Sequence, residues 1–255
     1  MQKIIGIFRA IIRLVLFLIV VVYYLLRTAI LFIFNPGAPW VIHSSLKGWS
    51  IACGKLLNVQ VEFSGKFPER HVLILPNHRS YIDVIFIPLF THVTHVAKAS
   101  VKRWPFIGWG AMLAKTVFVD REDKDSRRKT REEMRRRLLE GFSVVVFPEG
   151  TTYAYPTIGE LRPGMFHVAA GGDIPVMPVA IEYQHRLDAF IDDDRFIPHF
   201  IRCFQKPVTR VRVRFGDVIE SEDGELLRQQ VYAWMKETSR QLGEGWVEMG
   251  QGVTS

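Results

Sequence analysis

Apolar residues are concentrated near the N-terminus of the chain. Thirteen consecutive residues, Leu14 to Leu26, carry no charge, and after Arg27 a second apolar run ends at Asn35-Pro36-Gly37. A helix of thirteen residues reaches only about 20 Å, whereas the stretch from Leu14 to Phe34 reaches about 31 Å, close to the thickness of a hydrocarbon core. The pattern therefore predicts a helical membrane anchor within residues 1–40.

Three membrane interpretations of this segment stay open. A signal peptide would explain the basic residues before the run, but no small-residue cleavage site follows it. A spanning helix fits the total length, with Arg27 extending toward an interface. A monotopic helix, embedded in one leaflet, fits as well. A buried core helix is the soluble alternative, which the density of aliphatic residues disfavours. Basic residues on both sides give no clean orientation by the positive-inside rule.

Beyond residue 40, short apolar runs alternate with segments of helical character. The runs 71–75 (HVLIL) and 142–147 (FSVVVF) are almost wholly apolar, which is typical of central, buried strands. Other strands are predicted at 59–63, 92–96, 116–119, 175–182 and 210–215, and helices at 83–90, 101–113, 126–140, 165–170 and 226–242. This alternation indicates an α/β fold. We expect one layered domain over residues 41–255, with a mixed sheet flanked by helices.

Composition narrows the class of protein. The chain has 255 residues, of which 48% are hydrophobic and 23% charged, as in ordinary globular proteins. This excludes a disordered chain, a collagen-like repeat and a polytopic membrane protein. Two distant cysteines, Cys53 and Cys203, make no disulfide framework. The net charge of +7 suits a surface held against anionic lipid. Residues 121–137 are rich in basic side chains, but no nucleic-acid module accompanies them, so we expect no nucleic-acid partner.

The segment NHRSYID, residues 77–83, directly follows the first buried strand. Ser80 and Asp83 have the spacing of a capping box, which would start a helix and let Asp83 lean back toward His78. One interpretation is structural: a helix cap beside an ordinary loop histidine. The other is a His–Asp pair, because a histidine with an ordinary pKa of about 6.5 can accept a proton from a hydroxyl. A carboxylate behind the ring would stabilise the imidazolium.

A second polar cluster, FPEGTT at residues 147–152, follows the other buried strand. It is either an ordinary turn or part of a site, because α/β proteins bind ligands at the carboxyl ends of their strands. No G-x-S-x-G elbow supplies a serine nucleophile, so direct attack by a substrate hydroxyl fits better than a covalent intermediate. His92 and His95 lie three apart on a predicted strand and face opposite sides. We therefore discount them as a metal pair.

Five blocks in order resemble the glycerolipid acyltransferases, a family that includes the 1-acylglycerol-3-phosphate acyltransferases. NHRSYID resembles the family's N-H-x-x-x-x-D signature, and FPEGTT resembles its F-P-E-G-T-R block. Between them, Pro105, Gly108, Asp120 and Arg121 match a third block. Downstream, LRPGMFHVA and VMPVAIEY are similar to two further elements. The resemblance covers residues 71–183, and five ordered blocks are far more specific than any one of them.

The resemblance implies a site and a reaction, with no metal and no tightly bound cofactor. His78, backed by Asp83, would deprotonate the free hydroxyl of a lysolipid acceptor, which then attacks an acyl-CoA or acyl-carrier-protein thioester. The residues that match the other blocks would bind the acceptor: Glu149, Gly150, Thr151, Arg121 and Lys98. Among them, Arg121 would bind the phosphate, because its planar guanidinium suits that group.

Thr152 departs from the family pattern, which has an arginine at this position. The missing guanidinium weakens the case for lysophosphatidate and favours a larger headgroup or an acceptor without a terminal phosphate. Arg79, Arg162 or an arginine from the helix after Arg121 would be the substitutes if a phosphate is bound after all.

We therefore expect a membrane-bound O-acyltransferase acting on a lysophospholipid or related lysolipid. We place it at a bacterial inner membrane, with the catalytic domain on the cytoplasmic side. The alternatives are a lipid-to-lipid transacylase, an enzyme for a phosphate-free lysolipid and, last, a non-catalytic membrane-binding protein.

Overall fold

A seven-stranded mixed sheet forms the centre of the protein. The computed structural model describes residues 2–120 and 124–251. The strands are β1 (Val59–Ser64), β2 (Leu73–Pro76), β3 (Val93–Lys98), β4 (Val117–Val119), β5 (Ser143–Val145), β6 (Val176–Tyr183) and β7 (Thr209–Phe215). Their order is β1-β7-β6-β2-β5-β3-β4. Only the β6–β7 pair is antiparallel, so β1 and β7 run against the other five strands.

Helices cover both faces of the sheet. They are α1 (Gln2–Phe34), α2 (Pro39–Leu57), α3 (Ile107–Leu113), α4 (Lys124–Leu139), α5 (Gly164–Ala170), α6 (Phe196–Phe204) and α7 (Gly224–Gln251). One apolar core lies between the sheet and α1, α2 and α6, and includes Phe17, Cys53 and Phe200. A second lies under α4, α5 and α7, around Phe166 and Val231. The predicted α/β fold with an N-terminal apolar helix is confirmed.

Two helices fall where the sequence predicted none. Helix α2 begins at Pro39, soon after the N-terminal apolar run ends; proline suits the first helical turn because its missing N–H has no intrahelical partner there. Helix α6 likewise tolerates Pro198 within its first turn. The helix predicted at 83–90 is instead two short 3₁₀ turns, Tyr81–Ile85 and Ile87–Leu89. Pro88 lies in the second turn and would deny a continuous α-helix one of its hydrogen bonds.

Helix α1 lies along the folded domain. Its buried residues, Gly6, Ala10, Phe17, Val21 and Thr28, form one stripe with spacings of four and seven residues. Three of the four basic residues of α1, Arg9, Arg13 and Arg27, hold it in place. Arg9 and Arg13 donate to carbonyl groups at the end of α6 and just after it. Arg27 donates to Ser45 of α2 at 2.8 Å. The rest of the helix surface is apolar and largely exposed.

Candidate active site

The two polar clusters found in the sequence meet at one edge of the sheet. Strands β2 and β5 are parallel neighbours, with Ile74 opposite Val145. The segments that follow them, 77–83 and 147–152, therefore leave the sheet side by side at its carboxyl edge, where α/β proteins place their sites. Asn77 fixes the start of the first segment, since its buried amide exchanges two hydrogen bonds with the backbone of Ile181 on β6.

His78 and Asp83 are in direct contact. Nδ1 of His78 lies 2.8 Å from Oδ2 of Asp83. The Asp83 side chain is fully buried, whereas 20% of the His78 side chain is exposed. The capping arrangement predicted from Ser80 and Asp83 is present at the 3₁₀ turn, and Oδ2 also accepts the N–H groups of Arg79 and Ser80. An ionised carboxylate only accepts hydrogen bonds, so the imidazole donates from Nδ1 and presents Nε2 toward the open side.

Two aromatic residues complete the setting of this pair. Tyr183, the last residue of β6, donates its hydroxyl to Oδ1 of Asp83 at 2.6 Å. Burial, followed by the charge of Asp83, raises the pKa of Tyr183 well above its usual value, so the hydroxyl keeps its proton and donates. Phe147 stacks on the His78 ring, with centroids 3.8 Å apart and planes 22° apart. The carboxylate and the imidazole are thus each held from a second side.

Glu149 joins the two segments. Its carboxylate accepts the backbone N–H of His78 at 2.6 Å and that of Gly159 at 2.7 Å. The side chain is buried, and burial raises the pKa of Glu149 against the lowering effect of the two N–H groups. The resemblance implied that Glu149 holds the acceptor. In the structure both of its oxygens bind backbone instead, so its evident task is to position the His78 loop.

Arg79 is a structural residue. Only 1% of it is exposed, and its guanidinium is shared among Glu182, Ser239 and two backbone carbonyls. All five of its N–H groups have acceptors. Burial raises the pKa of Glu182, and the charge of Arg79 opposes that rise. The suggestion that Arg79 replaces a phosphate-binding arginine is therefore not supported, because no donor is left to face a ligand.

The remaining predicted residues lie around the same edge. Lys98 is exposed at the end of β3, the strand next to β5, and Thr151 is exposed in the turn that contains Gly150. Arg162 is exposed, and its backbone N–H donates to Pro148 at 2.9 Å. Arg121 lies outside the described residues.

Thr152 makes a contact of its own. Its hydroxyl donates to the carbonyl of Phe190, and the N–H of Phe190 donates to the carbonyl of Arg79. The position at which the family has arginine is thus tied by the backbone of Phe190 to the loop that carries His78.

Sequence analysis missed several residues that shape this site, notably Tyr183, Glu182 and Phe147. Glu182 and Tyr183 are polar residues at the end of a fully buried strand. Buried polar side chains need partners within the protein, and this was the signal that the sequence offered. Their partners lie about one hundred positions earlier in the chain, and a pattern within one segment cannot name them.

Residues 58–182 match the family model described as Acyltransferase. A lyso-ornithine lipid O-acyltransferase of Rhizobium meliloti is 32% identical over 213 residues, which cover 76% of this chain and 70% of that protein. One from Pseudomonas aeruginosa is 31% identical over 205 residues, covering 76% and 79%. The crystal structure of the 1-acyl-sn-glycerophosphate (LPA) acyltransferase PlsC from Thermotoga maritima has a similar fold. It aligns with a TM-score of 0.63 at 20% identity, over 90% of this chain and 97% of that chain.

Proposed function

Because the chain belongs to the PlsC-like glycerolipid acyltransferase family, whose members acylate lysolipids, we propose that it uses the His78–Asp83 pair to acylate a lysolipid hydroxyl. The observation that carries this proposal is the 2.8 Å contact between His78 Nδ1 and Asp83 Oδ2 at the carboxyl edge of the sheet. A positioned histidine next to a buried carboxylate is suited to general-base chemistry.

The reaction follows from the free side of the imidazole. Nε2 of His78 takes the proton of the acceptor hydroxyl while that oxygen attacks the thioester carbonyl of acyl-CoA or acyl-carrier protein. The C–S bond then breaks, the ester remains on the acceptor, and the thiolate leaves with the proton returned by the imidazolium. Asp83 stays ionised and stabilises the imidazolium.

For the acceptor we propose a lyso-ornithine lipid, a lysolipid without a terminal phosphate. Thr152 replaces the arginine of the family pattern, and Arg79 has no free donor. Both features weaken phosphate recognition, and two relatives at least 31% identical carry this acceptor in their names. Lysophosphatidate is the second candidate, favoured by exposed Lys98 and Arg162 at the same edge.

We also propose that α1 anchors the enzyme as a monotopic helix. It is the one described helix long and apolar enough to cross a membrane. However, its buried stripe runs from Gly6 to Thr28, and two of its arginines bind polar backbone near residues 204–207. Spanning would draw those polar groups into the hydrocarbon, where unsatisfied backbone is costly. A helix in the plane of one leaflet keeps the domain in water and its apolar side in lipid.

The first experiment is an acceptor panel. The purified full chain receives labelled acyl-CoA or acyl-carrier protein together with lyso-ornithine lipid, lysophosphatidate and lysophosphatidylcholine, and mass spectrometry follows the products. We expect the fastest turnover with lyso-ornithine lipid and none for His78→Ala. Activity that survives in His78→Ala would overturn the mechanism, and preference for lysophosphatidate would overturn the acceptor.

A matched variant separates the two questions. Thr152→Arg restores the family arginine without touching His78 or Asp83, so activity should remain and the ratio of lysophosphatidate to lyso-ornithine product should rise. An unchanged ratio would show that position 152 does not read the headgroup. If neither thioester donor gives product with any acceptor, lipid-to-lipid transacylation becomes the better hypothesis.

A further inference from the structure

Helix α3 and the turn before it carry an unusual surface. Four large apolar side chains, which we call the aromatic patch, are exposed there: Trp104 by 43%, Phe106 by 37%, Trp109 by 52% and Met112 by 46%. Phe106 and Trp109 also contact each other edge to face, with centroids 5.4 Å apart. All four belong to one short segment, residues 104–112.

Packing within the domain does not account for this arrangement. A surface helix normally turns its polar side to water, but α3 has the sequence IGWGAML and no charged residue. Its glycines face inward instead. A Cβ at Gly108 would come within 2.4 Å of the Lys102 carbonyl, and one at Gly110 would meet Leu25 of α1 at 3.5 Å. The small residues thus form the contact side, and the large apolar residues point away from the domain.

The aromatic patch continues the apolar surface of α1. Gly110 packs against Leu25, and Lys115, just after α3, donates to the carbonyl of Gly37 at 3.0 Å. The neighbouring part of α1 exposes Tyr23 by 58% and Leu26 by 59%. Large apolar side chains are thus exposed on two neighbouring helices, and clusters of this kind mark interaction sites.

The charges around the patch favour lipid as the occupant. Residues 99–119 contain three basic residues and no acidic one, and exposed Lys102 and Arg103 directly precede Trp104. Tryptophan is enriched at the level of lipid headgroups, and basic side chains beside it bind anionic lipid. A protein partner would be expected to find charged groups to pair with on this surface, and the sequence of α3 offers none.

From these observations we infer that the aromatic patch inserts into the headgroup region of the leaflet that holds α1, as a second membrane contact. The inference rests on the membrane association proposed above. It adds something that α1 alone does not provide, because a single helix lying in a leaflet leaves the domain free to rotate about the helix axis. A second contact away from that axis fixes the rotation. The segment leaves the end of β3 at Lys98, so the contact holds the edge of the sheet that carries the site against the lipid surface.

A fluorescent label at Trp109 tests the contact. Cys53 and Cys203 are fully buried, so Trp109→Cys introduces the accessible thiol for an environment-sensitive dye. The matched control is Leu226→Cys at the start of α7, which packs on the opposite face of the sheet and is 47% exposed. With phosphatidylglycerol–phosphatidylethanolamine vesicles, we expect a blue shift and quenching by brominated lipid for the label at 109, and neither for the label at 226.

Two outcomes overturn the inference in different ways. If the labelled protein sediments with vesicles but the dye at 109 stays water-like, the patch does not touch the membrane while the association through α1 stands. If the protein does not sediment with vesicles at all, the proposed membrane association fails and the inference fails with it.

An activity comparison tests the role of the contact. Trp109→Glu should lower turnover several-fold when the acceptor is presented in vesicles, and leave it unchanged in detergent micelles, where no flat surface has to be reached. Leu226→Glu should match the wild type in both. Equal losses for Trp109→Glu in vesicles and micelles would mean that the residue serves the fold or the site rather than the membrane.

Discussion

The hydroxyl of Tyr183 should control the pH at which the enzyme becomes active. Tyr183→Phe removes the donor that lies 2.6 Å from Oδ1 of Asp83, and because Asp83 is fully buried no water replaces it. A hydrogen bond to a charged group contributes about 1.5–3 kcal/mol. Losing this hydrogen bond destabilises the Asp83 carboxylate most when the imidazole of His78 is neutral, because a protonated His78 would itself stabilise the carboxylate.

The sign of the effect follows from that difference. Without Tyr183 the His78–Asp83 pair holds its added proton more tightly, so the acid limb of the rate profile moves to higher pH. One pH unit corresponds to about 1.36 kcal/mol, so the full energy of the hydrogen bond sets an upper bound of about one to two pH units on this shift. The midpoint describes the pair rather than either residue alone.

The assay is kcat/KM for the acceptor in mixed micelles, measured from acid to neutral pH. Tyr81→Phe is the matched control. It deletes a tyrosine hydroxyl on the 3₁₀ turn that carries Asp83, but this hydroxyl contacts His199, at 3.2 Å, and not Asp83. The control should keep the wild-type midpoint. A wild-type midpoint in Tyr183→Phe would refute the reasoning and leave Tyr183 as a packing residue. An equal shift in both variants would show that the profile reports a general disturbance of the turn.

Three further predictions concern stability, each measured by denaturant unfolding in detergent. Glu149→Gln turns one acceptor into a donor and strands a buried backbone N–H, so the free energy of unfolding should fall by about 1–3 kcal/mol; an unchanged value would contradict the bridging role. Arg79→Ala leaves a buried carboxylate unpaired and should cost about 3–5 kcal/mol, whereas the exposed pair lost in Arg240→Ala should hardly matter; equal losses would contradict the burial argument. Burial lowers the pKa of His95 to about 4, below the ordinary 6.5, so the unfolded chain binds more protons between these values and stability falls as the pH drops through them. His95→Leu should make stability fall less steeply over this pH range, whereas His167→Leu, at an exposed position, should leave the slope unchanged. Identical slopes in the two variants would refute the argument from burial.

The sequence predicted those parts of the fold in which local pattern and burial agree. The apolar runs that became β2 and β5 are flanked by polar turns, so their position at the centre of the sheet and the site at their carboxyl ends followed directly. Helix α2 escaped prediction because its polar and apolar residues are mixed on both sides and it begins at Pro39. The docking of α1 also escaped, because the carbonyls that Arg9 and Arg13 bind lie about 190 residues away.

The same limit applies to the site. The contact of His78 with Asp83 was predictable because both belong to one short segment whose cap geometry brings them together. The fate of Arg79 was not, since its charge suggests a ligand and only the fold reveals the buried Glu182. A charged residue beside such a motif can therefore either face a ligand or form a buried ion pair, and only its burial in the fold distinguishes the two.

The loop that carries His78 is fixed on every side before any substrate arrives. The N–H of His78 is held by Glu149 and its carbonyl by the N–H of Tyr153, at 2.9 Å. The carbonyl of Arg79 accepts from Phe190 at 2.8 Å, and the ring of His78 is held between its carboxylate and Phe147. Held this firmly, the proposed base would gain its advantage from orientation, but it could not move to suit different acceptors. Discrimination among lysolipids would then come from groups around the loop, and half-buried Thr152, bonded to the same Phe190, is the one at which this chain departs from the family pattern.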